Sequence, residues 1–280
     1  MKITDNHNLP EALVKACLDG NERPERGIYR VTALADAPLI RYLQMTYWDE
    51  LEQDVSELLW SAFGKIGHML MEKHAPDNTY VEERVDLKKD GVIVTGKPDL
   101  VSLKSIDDWK FTSVWAILLG IKPVWKAQLN TYDFMYSEHG LANVDTLIIH
   151  AMLRDWQKGK RFEEGYPKIQ YMRKQVEKWS REKQDDYISR RIELHKEAEK
   201  GVMIECTPEE KWQRPTTYAV MKKGNKRATK VCADLSTAES VAENIKGAEV
   251  VTRVGSNIRC DDYCIVSDVC PFNNAERKVA

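Results

Sequence analysis

Residues Thr95–Tyr132 read TGKPDLVSLKSIDDWKFTSVWAILLGIKPVWKAQLNTY, and the rest of the chain takes its place around them. Pro98-Asp99 is followed nine residues later by Asp108-Trp109-Lys110, and Gln128 and Tyr132 stand four apart further on. The pattern predicts two acids and a lysine at the end of a hairpin, then a helix with a polar face. Residues two apart on a strand share a face, so Asp108 and Lys110 project together while Trp109 points the other way, into the core. Gln128 and Tyr132, at i and i+4, share one face of a helix. Two carboxylates can hold a hard divalent cation, magnesium or manganese, through oxygen. Such a cation polarises a phosphoryl oxygen and activates water. A lysine beside it stabilises charge developing on the phosphate. A surface salt bridge is the competing reading of Asp108 and Lys110.

These residues resemble the PD-(D/E)XK nuclease superfamily, with Pro98-Asp99 and Asp108-Trp109-Lys110 filling its pattern. Gln128 and Tyr132 match the Q-x-x-x-Y element of its RecB-like branch, and the resemblance covers roughly residues 30–160. The branch carries a metal-side histidine on a helix before the hairpin, often with a glutamate four residues on. His68 and Glu72 in GKIGHMLMEKH occupy those places. The resemblance implies a restriction-endonuclease-like α/β (α+β) core, a mixed central β-sheet flanked by helices. It implies magnesium or manganese between His68, Asp99, Asp108 and the main-chain carbonyl of Trp109, with Lys110, Gln128 and Tyr132 completing the site. The activity implied is DNA cleavage. An exonuclease of phage recombination, replication or end processing is the expected form, acting on single strands or duplex ends beside a recombination or single-strand-binding protein. A nuclease fold that grips DNA or a partner without cutting is the alternative.

Composition sets outer limits. The 280 residues suit one large domain with an appendage. Hydrophobic residues make up 42%, ample for a core, and the net charge of −2 argues against a uniformly basic nucleic-acid binder. Contact with DNA must then come from a local patch. No apolar run approaches a transmembrane length and the start MKITDNHNLPEAL has no signal-peptide character, so no membrane partner is expected. A cytoplasmic location is expected, in a bacterial host cell if the gene is a phage's.

Three regions follow. Residues 1–30 read as an irregular arm around a short helix at 10–18. Residues 31–200 read as the nuclease core with a long helix, and 201–280 as a small C-terminal subdomain. Within the core, Thr32 is placed to cap a helix, and residues 52–74 keep a helical period through Val55, Leu58, Leu59, Ala62, Phe63, Ile66 and Leu70. Asp90-Gly91 marks a hairpin turn. Strand two spans about 91–103, bent by Pro98, and strand three about 105–111. Helices at 113–120 and 123–138 and a strand at 146–152 come next. Residues 168–200, free of proline and glycine, predict a single charge-rich helix of roughly 45 Å.

Lys211–Lys230 carries seven basic residues and no acid. It predicts a hairpin turning at Gly224-Asn225, whose Lys222, Lys223, Lys226 and Arg227 follow a phosphate backbone while Trp212 and Tyr218 stack on bases. A lysine-coated edge strand has the same composition. Cys260, Cys264 and Cys270 crowd into eleven residues, and in a chain without an export signal they suggest metal or cluster ligands rather than disulfides. Thiolates suit zinc and iron–sulfur clusters alike. The related CRISPR adaptation and AddB-type nucleases imply a [4Fe-4S] cluster, although their triplet has a first gap of two rather than three. Their fourth cysteine precedes the core, pointing to Cys17; phage-encoded RecB-like proteins point to Cys206. Such a cluster acts as a staple for the terminal segment.

Overall fold

The computed structural model describes residues 1–273 and shows an α+β chain in two compact units, Met1–Ile204 and Glu205–Ala280. The first unit begins with β1 (Lys2–Thr4) and α1 (Glu11–Leu18), then β2 (Ile28–Arg30), α2 (Val31–Leu34), α3 (Pro38–Tyr47) and β3 (Glu52–Asp54). The expected irregular arm is therefore woven in: β1 pairs in parallel with β3, and β2 in parallel with β6 (Val92–Gly96). Asp54 accepts from the Ser56 backbone N–H and opens a 3₁₀ turn over 55–58, so α4 is the shorter Leu59–Lys73 rather than 52–74. Thr32 lies inside α2, which starts at Val31, and is not its cap.

After β4 (Tyr80–Val81), strand β5 (Val85–Lys89) turns at Asp90-Gly91, both with positive φ, into β6. The expected single bent strand is in fact broken. β6 ends at Gly96, and after residues 97–99 the chain resumes as β7 (Leu100–Val101) in a different sheet. Proline has no N–H for a ladder, so the break falls where Pro98 stands. β8 (Ser105–Thr112), α5 (Val114–Leu118), α6 (Pro123–Glu138) and β9 (Thr146–Leu153) follow. β8 and β9 pair in parallel with Asp108 opposite Ile149, joined through the two helices, as a parallel pair requires.

The anticipated long helix is two elements, β10 (Tyr171–Val176) and α7 (Arg181–Glu199). β10 pairs antiparallel with β9 at the sheet edge, and Ser180 starts α7 by accepting from the Lys183 N–H. The five-stranded mixed sheet has the order β10-β9-β8-β7-β4, and a three-stranded sheet has the order β2-β6-β5. Their core joins Tyr29, Val94, Ile106, Leu147, Ile149, Ile188 and one face of α6. α6 is buried from Ala127 to Tyr136. Its polar side chains are consequently paired internally: Asn130 Oδ1 accepts from the Trp179 N–H at 2.7 Å, and Asp133 accepts from Gln184 at 2.7 Å and meets Lys178 at 3.1 Å.

The second unit holds β11 (Gln213–Arg214), β12 (Thr217–Lys222), β13 (Lys230–Cys232), α8 (Leu235–Glu243), β14 (Ala248–Arg253), β15 (Ser256–Asn257) and α9 (Ile258–Asp262). A three-stranded sheet β13-β12-β14 packs on α8 around Val220, Cys232 and Ala238. No described helix is long and apolar enough to cross a membrane.

Candidate active site

The break at 97–99 places Asp99 at the start of β7, beside the middle of β8. There Asp99 Oδ2 accepts from the Trp109 backbone N–H at 2.6 Å, and Asp99 Oδ1 lies 3.1 Å from His68 Nδ1 on α4. The Trp109 main chain enters this contact through its N–H, where the sequence suggested its carbonyl. Glu82, just past β4, completes a set: one donor atom each from His68, Glu82 and Asp99 lies within 4.8 Å of the others. Among the described residues this is the only group of three His, Cys, Asp or Glu donors so closely drawn together. Sequence reasoning missed Glu82. Its signal was the acidic pair Glu82-Glu83 interrupting the alternation of Val81 and Val85. Glu72, the expected companion of His68, is exposed on α4 and outside the set.

Glu82 takes a left-handed conformation (φ 50°), which a non-glycine residue adopts only when its surroundings hold it. Lys97 Nζ lies 2.8 Å from its carboxylate. The Lys97 carbonyl in turn accepts from the Tyr132 hydroxyl at 3.2 Å, and the Tyr132 ring packs against Gly96, where a Cβ would meet it at 2.5 Å. Gly96 is thus the residue that lets α6 close on the broken strand. Tyr132 is 4% exposed, and burial raises its pKa. It faces the 97–99 segment and not an open cleft. Gln128 is likewise buried, and its Oε1 accepts from Lys110 Nζ at 3.3 Å. The expected shared face of α6 is present, but it holds Lys110 and the 97–99 segment rather than lying open to a ligand.

Asp108 is 2% exposed. Lys110 Nζ donates to its Oδ1 at 2.9 Å and stands 2.8 Å from its Oδ2, yet that buried Oδ2 has no hydrogen-bond partner of acceptable geometry. Burial pushes the Asp108 pKa up to about 6, against the pull of Lys110 and with the Asp99 charge adding to the rise. His68 moves the same way, its pKa raised by the hydrogen bond to Asp99 against the effect of burial. A concentration of carboxylates, one of them buried with its pKa raised, is what a divalent cation relieves, and the donors, oxygen with one imidazole, suit magnesium or manganese. Trp109 points the other way, as expected. It is only half-buried, stacking at 4.5 Å on His150, which bridges Asp107 (2.6 Å) and the Tyr171 hydroxyl (2.8 Å).

In the second unit all four candidate ligands are free thiols. Burial pushes the Cys206 thiol up to about 12, with Glu210, Cys264 and Cys270 adding to the rise, and Cys260 is raised by burial, then by Cys264 and Cys270. The four thus lie in one another's electrostatic field, although no three of these sulfurs fall within 4.8 Å of one another. Tetrahedral zinc would set them about 3.8 Å apart. Cys17 is buried in an apolar cluster with Val55 and Ala62 in the first unit, and Cys232 is core of the second. The basic residues Lys222, Lys223, Lys226 and Arg227 sit exposed around the β12–β13 turn. The aromatics expected beside them do not. Trp212 packs with Tyr263 and Arg259, and Tyr218 lies against the small core.

No protein-family model and no curated protein matches the chain. Among solved structures it is similar to SSO0001, known from a crystal structure, at 15% identity over 94% of this chain and 96% of that one, with a TM-score of 0.54. The two share an α+β fold. At that identity the likeness to SSO0001 is one of fold, extending over nearly the whole length of both chains.

Proposed function

We propose that the chain is a metal-dependent DNA nuclease of the PD-(D/E)XK kind, using magnesium or manganese. The observation that carries this reading is the convergence of His68, Glu82 and Asp99 beside the buried ion pair of Asp108 and Lys110. His68, Glu82, Asp99 and Asp108 would hold the cation, which supplies Lewis acidity and lowers the pKa of water. Lys110 is held by Asp108 and Gln128 with its ammonium at the reacting centre, where it offsets charge building on the phosphate. Tyr132 and Lys97 keep Asp99 and Glu82 in register. An exonuclease of phage recombination or end processing remains the form proposed on resemblance.

Cleavage of linear and circular DNA with and without the metal tests this. Asp108→Ala is expected to abolish cleavage with the fold intact. Activity within tenfold of the parent, a barrier change of about 1.4 kcal/mol, refutes the role of Asp108. Metal-dependent binding without cleavage replaces the reading with a DNA-gripping module.

The same reading assigns Cys206, Cys260, Cys264 and Cys270 to a [4Fe-4S] cluster. What supports it is that Cys264 and Cys270 act electrostatically on both Cys206 and Cys260. Iron analysis of anaerobically purified protein tests it, zinc in place of iron being the contrary result.

A further inference from the structure

A line of polar side chains crosses the five-stranded sheet on the face opposite Asp108. Side chains alternate along β8, so Asp107 and Trp109 project to one side, and Asp108 and Lys110, which meets Gln128 of α6, to the other. His150 stands opposite Trp109 on β9. Its ring stacks on the indole at 4.5 Å and 28°. Its Nε2 lies 2.6 Å from Asp107 Oδ1, and its Nδ1 lies 2.8 Å from the Tyr171 hydroxyl on β10. The Ser105 hydroxyl donates to the other Asp107 oxygen. A carboxylate only accepts, so Nε2–H donates to Asp107, and in the neutral ring Nδ1 then accepts from Tyr171. Ser105, Asp107, His150 and Tyr171 thus make one hydrogen-bonded line over β8, β9 and β10. The Asp107 and His150 side chains are largely buried, where a hydrogen bond is stronger than in water.

This line lies where β8 is laddered on one side only. β7 pairs with β8 at Leu100↔Asp107 and Val101↔Ile106 and goes no further. Beyond Asp107 the ladder to β9 continues as far as Thr112, while the other edge of β8 has no described strand beside it. There the Trp109 N–H donates to the side chain of Asp99 at 2.6 Å. That N–H belongs to the peptide unit joining Asp108 to Trp109. Both acids therefore take their position from a single peptide, Asp108 through a covalent bond and Asp99 through a hydrogen bond. Asp107 and Trp109, the residues before and after Asp108, are the two that His150 grips.

We propose that His150, held by Tyr171, is a positioning residue of the candidate metal centre. Through Asp107 and Trp109 it fixes the peptide that sets Asp99 beside Asp108. It touches neither the cation nor the substrate. The assignment rests on the nuclease reading only in taking Asp99 and Asp108 as ligands of the cation.

Two measurements test it: manganese affinity by calorimetry, and hydrogen exchange of the Trp109 amide without metal. His150→Ala should lower the affinity about tenfold, as when a group that orients a metal ligand is lost. It should also speed exchange of the Trp109 amide about tenfold, because that edge of β8 opens locally. His150→Gln offers Asp107 a donor and Tyr171 an acceptor, and should recover most of both. Tyr171→Phe, which removes only the outermost bond, should give a smaller loss in the same direction. Ile188→Ala, at a fully buried position on α7, controls for lost stability and should leave manganese affinity within twofold. A His150→Ala protein that matches the parent in affinity and exchange overturns the proposal. So does a loss of affinity that Ile188→Ala reproduces, which would make the line a staple of the sheet alone. Parent protein that shows this dependence on His150 but cuts no DNA overturns the nuclease reading and leaves the positioning role standing.

Discussion

Gly67→Ala is the sharpest perturbation of the candidate metal centre that touches none of its proposed ligands. Gly67 is buried on α4, directly before His68. A Cβ there would lie 2.0, 2.2 and 2.5 Å from three atoms of the Phe111 ring. The nearest of these is about 1.4 Å inside the distance at which ordinary contact begins, so either the ring or the helix must give way. The ring is boxed by edge contacts with Phe63 and His68, at centroid distances of 6.1 and 5.9 Å, which resist its turning aside. The helix yields instead, and His68 leaves the position that sets it 3.1 Å from Asp99. Overpacking costs about 1–3 kcal/mol, while removing a glycine from a helix interior returns up to about 1 kcal/mol. Global stability should therefore fall only slightly. Manganese affinity, measured by calorimetry, should fall about 10–100-fold, as when a group that orients a metal ligand is removed. Adding Phe111→Leu should restore much of it by vacating the space. Manganese affinity within twofold of the parent, with an unchanged melting temperature, would refute the claim that this glycine sets the distance between α4 and β8.

His195, 1% exposed and packed against Tyr29, has its pKa lowered to about 4 by burial, then by Arg191 and Arg41. Between pH 6.5 and 4 the unfolded chain binds the proton that the folded one refuses. Stability from this group is then full above pH 6.5 and is lost as pH falls to 4, by about 3 kcal/mol at most; urea titrations of the parent and His195→Gln at pH 7 and 4.5 should show the variant's smaller loss. Tyr132→Phe leaves the Lys97 carbonyl without its donor and should cost about 1 kcal/mol in the same titration. No change would mean the hydroxyl does not hold the 97–99 segment. Neutralising Lys222, Lys223, Lys226 and Arg227 together should flatten the salt dependence of duplex affinity by about 0.9 for each phosphate the turn no longer neutralises. An unchanged slope returns the turn to an ordinary solvated edge.

The parts that could be read in advance are those where one physical rule dominates. Pro123 at the start and a sustained apolar period mark α6, whose bounds match the expectation, and a run of β-branched residues marks β9. Residues 171–176 misled because β10 is an edge strand, with Arg173 and Lys174 wetting its surface, so polar character stood where alternation was sought. The clue to its end was Ser180, a cap inside an otherwise helix-favouring run. Glu82 was invisible for a different reason: its place beside His68 and Asp99 depends on β4 joining the edge of the sheet at β7, a contact set by register and not by spacing along the chain. Gln128 and Tyr132 were found, but not that burial would turn them inward, since a helix face says nothing about what will cover it.

The enclosed polar groups of α6 bear on how the protein is made. Asn130 and Asp133 take their partners from Lys178, Trp179 and Gln184, roughly fifty residues downstream. A nascent chain that has delivered every member of the candidate site to the ribosome's exit, from His68 to Tyr132, still lacks the partners of the Asp133 carboxylate and of the Asn130 amide oxygen in the middle of the helix that braces Lys110. That helix cannot settle into its apolar bed until the start of α7 emerges. Synthesis itself therefore imposes a delay between the appearance of these residues and their assembly, and a chain arrested before residue 178 would carry the parts of the site without the means to hold them together.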